Sequence, residues 1–168
     1  MNRPQPDEFA PYYATYINTV SENVLGELEH QVNSFPGFLE NIPEEKGYYA
    51  YAEGKWTIKE LVGHMIDTER IMAYRALRIA RNDKTPLASF DENEYVLNAS
   101  FNNRSLESLS REFAAVRIAN IHFFKALSEE EYSRTGIASN NPVSVRALLY
   151  ILVGHANHHR KILEERYL

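Results

Sequence analysis

Residues 148–163 read LLYILVGHANHHRKIL and hold three of the six histidines of this 168-residue chain. At about 100° per residue, Leu148, Ile151, Leu152, His155, His159, Ile162 and Leu163 share one helical face. His155 and His159 are four residues apart, so their side chains stack near the middle of that face. A helix that buries this stripe carries two imidazoles into the core. Neutral imidazole is the commonest metal-ligand side chain, and this spacing lets two rings converge on one ion. The competing reading is a pair of core histidines satisfied by hydrogen bonds. His158 lies about 60° to one side of His155, which suits a place at the rim or behind the ligands.

The rest of the composition limits what else such a site can use. There are no cysteines, so a disulfide framework, a thiolate nucleophile and a thiolate metal site are excluded. A metal must be held by His, Asp, Glu and water. The net charge of −5 argues against a broad phosphate-binding surface and so against nucleic acid. The start MNRPQPDEFAPYY lacks the apolar core of a signal peptide, and no run approaches the ~18 apolar residues of a membrane span. A cytoplasmic location and no membrane association are expected. A chain of this length buries about 70% of its unfolded surface, enough for a full core.

The elements that must position the histidines follow from periodicity and caps. Residues 1–20 read as an N-terminal arm packed on the rest, with the aromatic run Tyr12 to Ile17 lying across the body. Residues 21–168 form the main domain. Ser21 is the expected cap of a first helix with Val24, Leu25, Leu28, Val32 and Phe35 as its stripe, kinked or broken at Pro36-Gly37. His30 points away from that stripe. Tyr48, Tyr49 and Tyr51 read as extended, and Trp56 as an anchor of the connector or the outer half of a hydrophobic staple.

Thr57 to Glu60 matches a capping box and opens a second helix reaching about Arg81. His64 sits at the border of its stripe. Glu69 falls inside the stripe, where a carboxylate needs a partner, either an arginine of a neighbouring helix or an imidazole N–H. Arg70, Arg75, Arg78 and Arg81 read as a solvated basic edge. Residues 82–104 lack periodicity and read as a long loop, either a wall of a pocket or a crossover pinned by its aromatics. Within it Phe90, Asp91, Glu92 and Tyr95 are the residues of interest. A third helix spans about Ser105 to Leu127, with His122 on its outer side. Ser128 to Glu131 caps a short helix ending at Gly136, a polar loop follows to Ser144, and the fourth helix runs almost to the C-terminus. No strand is expected. Four amphipathic helices with long connections predict an all-α protein, a four-helix bundle whose site is built in the core from facing helices. His64 could then meet His155 and His159.

The stretches YAEGKWTIKELVGHMIDTERIMAYRALRIARND (51–83), RSLESL (104–109) and GHANHHRKILEERYL (154–168) together resemble the DinB-like family, part of the DinB/YfiT-like metalloenzyme superfamily. The paired signatures GH-x-x-D-x-E and GH-x-x-HH carry the resemblance, which covers nearly the whole chain. It implies a four-helix bundle with a divalent metal, Zn or Ni before Fe, held by His64, His155 and His159. It also implies a small-molecule substrate and allows a homodimer. The family is unrelated to the DNA polymerase of similar name.

Three neutral imidazoles leave a divalent ion one open position. There the pKa of water falls toward about 7, or a thiol is deprotonated. Some superfamily relatives are thiol-dependent transferases or isomerases using low-molecular-weight thiols. Three readings follow: a thiol S-transferase, a metal-dependent hydrolase of small esters or amides, and a non-catalytic metal-binding domain. A hydrolase wants a general base near the metal, and neither Asp67 nor Glu69 is well placed for it, which tilts the choice toward thiol transfer.

Overall fold

A computed structural model describes all residues, 1–168. In chain order its elements are α1 (Ala14–Ile17), α2 (Val24–Leu39), α3 (Ile58–Ala80), α4 (Glu92–Asn98), α5 (Leu106–Lys125), α6 (Glu129–Ser133), β1 (Thr135–Ala138), β2 (Asn141–Ser144) and α7 (Val145–Ile162). A π-helical turn, Leu163–Tyr167, extends α7. The long helices α2, α3, α5 and α7 form the four-helix bundle. No helix is long and apolar enough to cross a membrane.

Going round the bundle, α2 packs on α5 and α7, and α3 packs on the same two. Helices α2 and α3 are therefore diagonal, as are α5 and α7. The two diagonal steps are made by the connections at 40–57 and 126–144, each long enough to cross the end of the bundle.

Local signals set the starts of α3 and α7. At α3, the Thr57 hydroxyl accepts from Glu60 N at 3.1 Å while Thr57 N donates to the Glu60 carboxylate at 2.8 Å, the reciprocal capping box that the spacing predicts. At α7, Ser144 Oγ accepts from Ala147 N at 3.0 Å and donates to Glu8 at 2.7 Å. Arg146 Nε donates to the same carboxylate at 2.6 Å. These bonds fasten residue 8 to the first turn of α7, and the buried Ile17 and Val20 complete the seal.

One polar cluster ties all four long helices together. Arg117 of α5 donates to Glu69 of α3 through Nη2 at 2.7 Å and Nε at 3.0 Å, with both side chains almost wholly buried. Asn120 donates to the other Glu69 oxygen at 3.0 Å. Arg117 also donates to the Gln31 side-chain oxygen of α2, and Gln31 Nε2 donates to the Val153 carbonyl of α7 at 3.1 Å. Glu69 thus takes the arginine of the two expected kinds of partner.

Several expectations need correction. The first helix is capped by Asn23, whose side chain accepts from Gly26 N at 3.3 Å, and not by Ser21. It runs through Pro36 without a break. Apolar Phe35 and Leu39 lie buried on either side of the proline, and their packing holds the last turn helical. Of the tyrosines expected in extended chain, Tyr48 instead ends a 3-10 helix, Glu44–Tyr48, whereas Tyr49 is extended. The long loop at 82–104 contains α4, started by Asp91 accepting from Asn93 N and Glu94 N. The polar loop before α7 is a hairpin, with Thr135 opposite Ser144 and Ala138 opposite Asn141. Pro142 within β2 hid it from the sequence, because proline reads against a strand away from an edge. Ser139 and Asn140 both have positive φ, as a two-residue turn between right-twisted strands requires. The short helix before it ends at Ser133, earlier than expected.

Candidate metal centre

Gly63-His64 on α3 and Gly154-His155 on α7 are matching dipeptides, and packing explains both glycines. A Cβ on Gly63 would stand 2.3 Å from the Phe101 ring, and one on Gly154 would stand 2.2 Å from the Tyr16 carbonyl oxygen. Neither contact is possible for a larger residue without a shift. Each glycine admits a neighbour directly beside a histidine. At α7 that neighbour is α1, whose Tyr16 ring meets His155 edge-on with centroids 5.4 Å apart.

The α3–α7 packing brings His64 against His155 and His159. His155 Nε2 lies 3.1 Å from His64 Nε2 and 2.9 Å from His159 Nε2. The ligand atoms of all three fall within 4.8 Å of one another, and all three residues are buried. Thr68 Oγ1 stands 3.5 Å from His64 Nδ1 and Trp56 stacks on His64 at 4.7 Å.

This arrangement is poorly satisfied by protein hydrogen bonds alone. A ring nitrogen offers one proton or one lone pair. His155 Nε2 faces two other Nε2 atoms and can make a good hydrogen bond to only one of them. His159 Nδ1 is buried with no partner at all. A cation among the three nitrogens resolves the first conflict. Tetrahedral zinc at its usual bond length sets its nitrogens about 3.3 Å apart, close to the separations found. The donor set therefore fits a divalent metal.

Burial pushes His64 down to about 4; burial, and after it the neighbouring rings, hold His155 and His159 well below the ordinary imidazole range. All three are neutral at pH 7, the state in which imidazole binds a metal. In the unfolded chain they titrate near pH ~6.5, so below that pH the unfolded state binds more protons than the metal-free folded state. Stability of the metal-free protein is therefore present in full above ~6.5 and declines as pH falls toward ~4. Urea midpoints at neutral pH and at about pH 5 should show the decline. A constant midpoint would mean the imidazoles are not held neutral.

The cluster forms the end of a cavity of about 380 Å³. Its walls include Tyr13, Tyr16, Trp56, Met72, Phe90 and Ile151. Tyr13 and Tyr16 come from the N-terminal arm and Phe90 from the 82–104 segment, so both bound the space in front of the histidines. Trp56 also faces that space, a role beyond anchoring the connector. Its signal in the sequence was its position beside the cap of the helix that carries His64.

His158 meets the Tyr16 ring edge-on with centroids 5.1 Å apart, beside the cluster and outside it. His30 and His122 are exposed, as their helix faces predict. Glu69 is committed to Arg117 and Asn120, and Asp67 lies 3.8 Å from Arg70; neither lines the cavity. The one carboxylate that does is Glu92, at the start of α4.

Four packed helices with three buried imidazoles closing on one point define a helical-bundle protein with a candidate metal site. Residues 27–163 match the model of the DinB superfamily, and the chain belongs to that family. It is 24% identical over 137 residues to a protein of Oceanobacillus iheyensis provisionally named a metal-dependent hydrolase, a match spanning 80% of this chain and 78% of the relative. YfiT from Bacillus subtilis, described as a probable metal-dependent hydrolase with an unusual four-helix bundle topology, superposes with a TM-score of 0.74 at 16% identity. That match covers 96% of this chain and 89% of YfiT. A mycothiol-dependent maleylpyruvate isomerase superposes with a TM-score of 0.66 at 15% identity, over 86% of this chain and 61% of the isomerase. At these identities the two structural likenesses establish the fold.

Proposed function

We propose that His64, His155 and His159 hold a divalent metal, zinc or nickel before iron, and that the protein is a metal-dependent enzyme acting on a small molecule in the adjoining cavity. The convergence of three Nε2 atoms at the end of that cavity carries this reading. A metal held there supplies an open coordination position that acidifies a bound thiol or water.

Thiol S-transfer is the chemistry this site supports best. Hydrolysis calls for a general base beside the nucleophile, and neither Asp67 nor Glu69, both close to His64 in sequence, lines the cavity. A thiolate needs no such base once formed, because it attacks an electrophilic carbon directly and the leaving group departs with the bonding pair. The chain has no cysteine, so the thiol is a separate low-molecular-weight molecule. The fold shared with a mycothiol-dependent isomerase is compatible with that. The protein's own part is to orient and to exclude water. Burial raises the pKa of the Tyr13 and Tyr16 phenols, so both stay protonated and can donate to a substrate oxygen. Tyr13, Tyr16, Trp56 and Phe90 put aromatic surface along the cavity that the histidines line.

Hydrolysis is the second reading: Glu92 lines the cavity and could take a proton from water, and the Oceanobacillus relative and YfiT are both described as metal-dependent hydrolases. The test compares zinc-loaded protein with its His155→Ala variant in two assays. One follows glutathione and 1-chloro-2,4-dinitrobenzene, and the other follows p-nitrophenyl acetate without thiol. Thiol consumption that the variant lacks supports S-transfer. Ester cleavage that the variant lacks assigns hydrolysis. No difference in either assay would favour a non-catalytic metal domain.

A further inference from the structure

Three basic side chains are buried in this fold: Lys59, Arg75 and Arg117. Lys59 pairs with Glu44 at 2.6 Å and Arg117 with Glu69 at 2.7 Å. Arg75 is 3% exposed and has no carboxylate at ion-pair distance. Its Nη2 donates to the Ala88 carbonyl at 2.6 Å and to Ser139 Oγ at 3.0 Å. Its Nη1 meets only the Met72 sulfur, at 3.7 Å. The sequence places Arg75 on a solvated basic edge with Arg70, Arg78 and Arg81, and the structure overturns this for Arg75 alone. Arg70 and Arg81 are exposed, and Arg78 is half-buried and paired with Asp83.

A guanidinium withdrawn from water is costly unless an anion meets it, and arginine, unlike lysine, cannot shed its proton to escape the cost. Neutral acceptors offset only part of that. The space Arg75 faces is the cavity that ends at the three imidazoles. Glu92 on the same wall is exposed and forms no ion pair with it. The side chain is held in place by the Ala88 carbonyl and the hairpin tip and lies 5.8 Å from the centre of the Phe90 ring; these contacts are all neutral, so no anion balances its charge where it lines the substrate space.

We propose that Arg75 anchors an anionic group, carboxylate or phosphate, at the far end of the substrate from its reacting atom. Arg75 follows His64 along α3 by about 16 Å of helix rise, shortened because the side chain leans back toward the N-terminus. The substrate class is thus an elongated anion, charged at one end, with its reactive carbon at the imidazole end. This rests on the cavity being the substrate site, as proposed above.

The test uses metal-free protein, so that it stands apart from the metal reading. Binding of N-acetyl-glycylglycine, its neutral C-terminal amide and inorganic phosphate is measured by calorimetry. The acid or phosphate should bind at least tenfold more tightly than the amide. Arg75→Gln should abolish the preference, and Arg75→Lys should keep part of it, with melting curves confirming that both variants fold. If phosphate binds more tightly than the acid, the anion is a phosphate; the reverse assigns a carboxylate. Equal binding of acid and amide, no binding of either anion, or an undiminished preference in Arg75→Gln would overturn the proposal and leave Arg75 as a strut between α3 and the hairpin. Metal content of the wild-type protein, measured in parallel, reports separately on the three-histidine reading.

Discussion

Replacing His155 with alanine is expected to remove stoichiometric metal from the purified protein. His155 Nε2 is the atom that faces both other imidazoles, so its loss leaves two ligands, one on each of two helices. Changing residues that merely support a ligand costs about 10–100-fold in affinity. Losing a ligand outright should cost at least about 100-fold. His64→Ala and His159→Ala should behave alike, whereas His30→Ala and His122→Ala should leave one ion per chain. Elemental analysis after reconstitution with zinc reads the outcome directly. The His155 variant should still fold, because in the metal-free protein the imidazole is a buried polar group competing for too few hydrogen-bond partners. Full metal retention in all three variants would place the ion elsewhere and remove the basis for both enzymatic readings.

The second large effect is on stability. Glu69→Ala strands the Arg117 guanidinium among four helices with only Gln31 as a side-chain acceptor. Breaking a buried ion pair from one side costs about 3–5 kcal/mol, a large part of the total stability of a domain this size. The double variant Glu69→Met/Arg117→Met should be less destabilised than Glu69→Ala, since it removes both charges from the interior. Urea denaturation of the wild type and the two variants gives the comparison. A loss under about 1 kcal/mol for Glu69→Ala would mean that water reaches the guanidinium and that the cluster is not the joint between the helices.

Both effects bear on function through the same piece of architecture. The α3–α7 contact that closes the three imidazoles is braced by the buried Glu69–Arg117–Gln31 cluster, which reaches α7 at Val153, two residues before His155. A change that loosens that cluster should also loosen the histidines. Zinc affinity measured in Glu69→Gln would therefore be informative beside its melting curve.

What could be read from the chain alone were its local, periodic features. The four helical stripes, the reciprocal caps at Thr57 and Ser128 and the stacked His155 and His159 each depend on residues within a few positions of one another. Their geometry follows from helix pitch and from donors left unpaired at helix ends. The inward direction of the histidine pair, and the outward direction of His30 and His122, followed from the same pitch. Other features depend on which elements become neighbours, and no local signal encodes that. Glu69 needed a partner by its position, yet nothing near it in sequence selects Arg117, which is 48 residues away. Arg75 looks like its exposed neighbours until Ala88 and Ser139 fold over it. The hairpin before α7 was masked by its proline, and Trp56 becomes a wall of the cavity because the 40–57 connector crosses the bundle diagonally. Periodicity shows that a side chain faces inward; the packing of distant segments decides what it meets there, and so whether a buried charge is a joint between helices or an uncompensated cation facing the cavity.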